Sequence, residues 1–133
     1  MIKTEGQIVT EIYKYVASSP LAEAVDGSVL KSIDRDVNST TEDIVIKPLA
    51  NSPKQVQETI VNVNVYVPDT LDEGQYVKNG ERCDELEVIA CECLEVVHLG
   101  CARLHLEEQH TYKVQDARCH VINCRMLYQI ENS

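Results

Sequence analysis

This 133-residue chain contains no Phe and no Trp. Its core must therefore be built from Val, Ile, Leu, Ala, Cys and some of the 6 Tyr. Basic residues are also scarce. Against 22 Asp and Glu there are 12 Lys and Arg, a formal net charge of -10. That deficit argues against tight general nucleic-acid binding, which needs a cationic surplus around phosphate. An acidic surface could still line a passage through which nucleic acid slides without sticking. No apolar run approaches the ~20 residues of a membrane helix. The N-terminal MIKTEGQIVTEIYKYV lacks an uninterrupted apolar stretch and a small-residue cleavage site, so it does not read as a signal peptide. Without an export signal, the 6 cysteines are expected as thiols, and the folding compartment as the cytoplasm. The chain has no GxGxxG, no Walker loop, no GxSxG and no HExxH, and no enzyme activity or cofactor is expected.

What is present fits a folded chain. The 44% apolar content and the length predict one domain over residues 1–133. Ile8, Ile12 and Tyr15 predict a helix over Thr4–Val16, with Thr4 as N-cap. Ser19-Pro20 starts a second short turn, with Pro20 at a first helical position. Ser28–Ile33 and Asp43–Leu49 read as strands flanking a polar loop. Pro48 marks an edge or a strand end. ANSPKQ, residues 50–55, reads as a turn. The stretch ETIVNVNVYVPD then alternates almost without exception. Val61, Val63, Val65 and Val67 share one face, and Asn62, Asn64 and Tyr66 the other. Short connections between these three strands predict an antiparallel meander.

Thr70–Gly80 reads as a polar, irregular excursion. Arg82–Leu99 reads as one long helix, with Leu86, Ala90, Cys93, Val97 and Cys101 on a buried stripe and Gly100 as the stop. Glu81, Glu85, Glu92 and Glu95 decorate it. Arg103–Val114 and His120–Ile130 read as two further strands. Ile122, Cys124, Met126, Tyr128 and Ile130 form the better core face of the last one. The predicted class is α+β: an antiparallel or mixed sheet of about four to five strands, carrying an N-terminal helix and one long central helix.

The Cys/His set offers the main candidates for chemistry: Cys83, Cys91, Cys93, His98, Cys101, His105, His110, Cys119, His120 and Cys124. A metal site needs about four of these to converge, and no CxxC knuckle is present. Cys91 and Cys93 would point about 200° apart on a helix. His98 would lie two turns from Cys91, beyond hydrogen-bond reach. Cys119 and His120 would face opposite sides of a strand. Cysteines on an apolar stripe behave as small hydrophobes, so core packing is the expected role and no metal site is assigned. The acidic groups Asp34/Asp36 and Asp69/Asp72/Glu73 lack the calcium-loop pattern and read as solvated loops. The alternative functional reading is a cytosolic α+β binding module or enzyme whose Cys/His residues hold a metal.

The order of elements carries a resemblance. After the N-terminal helix come GSVLK (27–31), DVNS (36–39), EDIVI (42–46), VNVNVYVPD (61–69) and ERCDELEVIA (81–90), with a closing strand pair. This layout resembles the tail-completion proteins of tailed bacteriophages and prophages, the tail terminators and head-tail connector proteins. The resemblance implies a non-enzymatic virion protein, made in the bacterial host cytoplasm, that forms rings, often hexameric. It implies binding to copies of itself and to tail or connector proteins, with DNA passing through the lumen, no specific nucleic-acid binding and no membrane. The family has no catalytic residues to transfer. Within this expectation, Asn62, Asn64 and Tyr66 are the candidate subunit or partner interface. Their amides donate and accept hydrogen bonds, and tyrosine is enriched at interfaces.

Overall fold

A computed structural model describes residues 3–31, 35, 36, 38–52 and 56–131. Thr4 opens the first helix, α1 (Glu5–Ala17), with a capping box. The Thr4 hydroxyl accepts the Gln7 N–H, and the Gln7 side chain accepts the Thr4 N–H at 2.8 Å. Ile8, Val9, Ile12 and Val16 form its buried stripe. Ser19 caps the short α2 (Pro20–Ala24), where proline takes the first position because that N–H has no helical acceptor anyway.

Six strands make the main sheet: β1 (Val29–Lys31), β2 (Asp43–Ser52), β3 (Val56–Pro68), β6 (Val96–Leu99), β7 (Ala102–Lys113) and β8 (Cys119–Glu131). Their order is β1-β2-β3-β8-β7-β6. A separate hairpin pairs β4 (Thr70–Asp72) with β5 (Gln75–Val77). The third helix is α3 (Gly80–Leu94). The fold is thus α+β, with a larger sheet than the four to five strands expected from sequence.

Four further expectations are corrected. The first three strands are not an antiparallel meander, because β1 runs parallel to β2. The polar segment between Lys31 and Asp43 is long enough for the crossover that a parallel pair needs. The central helix ends at Leu94 rather than Leu99, and Val96–Leu99 is a strand whose alternate residues are exposed. Buried Cys83, Leu86, Ala90 and Leu94 follow helical steps, and buried Val97 falls one further step along. The helical pattern therefore runs unbroken into a strand of β-branched residues. Gly100, at φ 61, does not stop a helix; it turns β6 into β7. The excursion at 70–80 is an ordered hairpin, with Glu73 and Gly74 both at positive φ, as a two-residue turn requires. Ser32 and Ile33 at the end of the first expected strand, Asp34 of the acidic pair and residues 53–55 of the expected turn lie outside the described residues. Ala50, Asn51 and Ser52 from that turn belong to β2.

Pro48 fits its strand because, among the described residues, β1 pairs with β2 only as far as Ile46, short of Pro48. A register shift follows at Pro48/Ala50. The valine face of β3 is fully enclosed, with Val61, Val63 and Val65 at 0% exposure. It shares one apolar core with Ile8 and Ile12 of α1, Leu86 and Leu94 of α3, and Ile122 and Met126 of β8. The helices thus cover one side of the sheet; on the other side, among the described residues, the end around Val45, Asn64 and Val121 is buried, and Lys47, Val96, His98, Arg103 and Arg125 are exposed.

Candidate interaction surfaces

The open side is organised by cross-strand rows. One row runs Lys47, Asn62, Arg125, Glu108 from β2 to β7. The next is Ile60, Leu127, His105, Val96 from β3 to β6, and beyond it lies Glu58, Gln129, Arg103, His98. A largely apolar middle row, which includes His105, is therefore flanked by rows of mixed charge. His105 Nδ1 is buried with no hydrogen-bond partner among the described residues.

Asn62, Asn64 and Tyr66 all lie on this side, toward one end. Asn62 is half-buried in the Lys47–Arg125 row. Asn64 is buried, and its Oδ1 accepts the Asn123 amide at 2.7 Å. Tyr66 is half-buried beneath the Arg35 guanidinium, 4.1 Å from the ring centroid. Arg35 also reaches Asp43 at 3.2 Å. Burial would raise the Asp43 pKa, but bonds from Ser39, the Ser28 N–H and Thr41, with Arg35 nearby, bring it below the usual carboxylate value. Of the three candidates, Asn62 stands nearest the open centre of the face. Asn64 and Tyr66 already have partners within the chain.

The second surface is the β4–β5 arm. All residues from Thr70 to Val77 are exposed, including Leu71 at 64% and Tyr76 at 44%. Two strands alone are marginal in water, so the arm depends on its anchorage. Asp69, at its base, is only 1% exposed. Its carboxylate accepts Lys113 Nζ at 2.9 Å and contacts His120 Nδ1 at 2.7 Å, while its N–H donates to the Arg118 carbonyl. Arg118 in turn lies 4.1 Å from the Tyr76 ring centroid. Desolvation pushes the Asp69 pKa up, but the Lys113 and His120 bonds outweigh it and hold the group below the ordinary value. Read from sequence as part of a solvated acidic loop, Asp69 is instead a buried anchor. Its partners are 44 and 51 residues away, so no local spacing could have revealed them.

A cleft of about 590 Å³ opens beside this anchor, lined by Asn38, Thr40, Tyr76, Asp116 and Arg118 among others. Asp69 and His120 are paired, but a nucleophile needs a thiolate or activated hydroxyl beside the base. Burial raises the pKa of both Cys83 and Cys119, which disfavours thiolate. Cys124 is pushed up to about 12 by burial, despite its bond from Gln109. No three His, Cys, Asp or Glu side chains converge as metal ligands among the described residues. Cys93 is half-buried and Cys101 exposed, against the expected buried stripe. His98 leaves the helix for β6, so the Cys91–His98 spacing loses its helical meaning.

No family model matches this chain, and no curated protein matches it significantly. A chain from a solved structure described as "Virion of native gene transfer agent (GTA) particle" has a similar fold. The TM-score is 0.59 at 10% identity, covering 94% of this chain and 95% of that one. No helix among the described residues is long and apolar enough to cross a membrane.

Proposed function

We propose that the protein is a non-enzymatic structural component of a phage or prophage tail or head-tail junction. It acts by self-association into a ring and by binding neighbouring tail or connector proteins. The observation that carries this reading is fold likeness over nearly the whole of both chains to a protein from a virion particle. The order of sequence elements, which resembles tail-completion proteins, supports the same reading independently. The exposed arm gives such a protein a means of contact, because Leu71, Tyr76 and Val77 offer apolar area on an anchored hairpin. The open sheet side, with Asn62, Asn64 and Tyr66, provides a second contact surface. The acidic balance suits a lumen through which DNA passes without binding.

The test is incubation with purified tail tubes and with connectors, followed by negative-stain imaging. Rings seated at a tube end or connector face are the expected result. A strict monomer that joins neither would overturn the proposal.

A further inference from the structure

Two cavities adjoin at the turn between β7 and β8. The cleft of about 590 Å³ beside the Asp69 anchor and a second cavity of about 470 Å³ share Asn38, Asp116 and Ala117 as walls. They form one groove between residues 38–40 and residues 116–118. The second cavity is lined further by Arg35, Tyr66 and Gln115, and by the apolar Val45 and Val114. Arg35 is the group there that lacks a partner. Its side chain is only 10% exposed, yet Nε and Nη2 are buried with no hydrogen-bond acceptor among the described residues. Nε lies 3.2 Å from the Asp43 carboxylate, a charge contact without the angle of a hydrogen bond. Nη1 reaches only the Asp36 carbonyl, at 3.5 Å. The face of the guanidinium is taken by the Tyr66 ring. A buried donor left unmet is unfavourable, so an acceptor oxygen entering this cavity is favoured.

Charge decides which kind of oxygen. Asp43 offsets Arg35, and it already accepts from the Ser28 N–H and the Ser39 and Thr41 hydroxyls. Asp116 adds an exposed carboxylate to the cavity wall. With Arg35 matched and Asp116 in excess, an anion is disfavoured and a neutral carbonyl fits. A peptide link supplies that carbonyl together with an N–H, for which the Asp116 carboxylate is an acceptor. We propose that this groove binds an extended, uncharged peptide segment of a neighbouring protein, with one backbone carbonyl accepting from Arg35 and small apolar side chains against Val45 and Val114. This rests on the assembly reading above only for the source of the segment. Tyr66 then acts as a positioning residue, which holds the guanidinium from its face and leaves the nitrogens for the ligand.

The experiment is an NMR titration of the nitrogen-15-labelled full chain with N-acetyl-Ala-Ala-Ala-amide, and with sodium acetate as the anionic control at matched ionic strength. The Arg35 Nε–H signal and the side-chain amides of Asn38 and Gln115 are followed. The tripeptide should shift all three saturably, with a Kd of about 1–10 mM for so small a ligand. Acetate should leave them in place. Two variants weaken tripeptide binding by at least about tenfold: Arg35→Met, which removes the donors, and Ala117→Leu, which fills the wall common to both cavities without touching Arg35. Circular dichroism checks that each is folded, and Ala117→Leu carries the test if Arg35→Met is not. Absence of a saturable shift with the tripeptide overturns the proposal. So does acetate binding as well as the tripeptide, which would make this an anion site, or a folded variant that binds as the parent does. Any of these leaves the tail-tube and connector test above unaffected. Tripeptide binding in a protein that joins neither tubes nor connectors keeps the groove and overturns only the virion source of its segment.

Discussion

Gly27 sits where a side chain has no room. A Cβ there would collide with the Asp43 carboxylate and the Glu42 carbonyl, and the Glu42 collision is with backbone that cannot swing aside. Gly27→Ala should therefore cost about 1–3 kcal/mol, the usual range for overpacking, read as a lower urea midpoint. The sequence alone marks Asp26-Gly27 only as a turn signal. Its neighbours across the fold, not its own turn, give it this role. Asp69 makes the same point with charge. Asp69→Asn should destabilise by about 1–2 kcal/mol, in the lower part of the range for bonds to charged groups because Lys113 is half exposed. The folded pKa of Asp69 is depressed, so its contribution is fully present above the unfolded value of about 4 and is lost as pH falls through the folded value. The parent should lose more stability than Asp69→Asn as pH falls from 5 to 2.5, measured by urea titrations at each pH. Equal losses would assign no linkage to this carboxylate.

At the scale of elements, β3 and β8 were legible because near-alternation over about a dozen residues, rich in Val and Ile, fits no helical stripe. α1 was legible because its cap and its stripe agree. The join of α3 and β6 was not, since buried positions at helical spacing continued from Leu94 to Val97 across the change of structure. Parallel pairing of β1 was hidden for a different reason. Strand direction depends on how the Lys31–Asp43 segment crosses, and a polar loop carries no pattern that records this. Asn62, Asn64 and Tyr66 were legible as one face, but their surroundings were not, because Asn123 and Arg35 come from distant positions. α3 itself divides sharply between buried and exposed positions. Leu86→Ala should cost about 2–5 kcal/mol, as truncations at fully buried sites do. Val88→Ala, at 57% exposure, should change monomer stability by less than about 0.5 kcal/mol. Thermal denaturation of dilute samples separates the two. A large effect at Val88 under dilute conditions would place that residue in the core instead of at the surface.

At the scale of the molecule, the fold puts one apolar core under its helices and leaves part of the opposite sheet side and the β4–β5 arm exposed. Neither surface contains an assembled nucleophile or metal cage among the described residues. Both have the mixture of apolar centre and polar surround found in protein contacts. The proposal that this chain works by assembly meets its most direct test in the solution mass of the intact protein. Sedimentation velocity from micromolar to near-millimolar concentration is the measurement. Ring assembly predicts a discrete species at a small whole multiple of 15.0 kDa, seen as closed rings by negative stain. A single 15.0 kDa species throughout, with no binding to tail tubes or connectors, would contradict it.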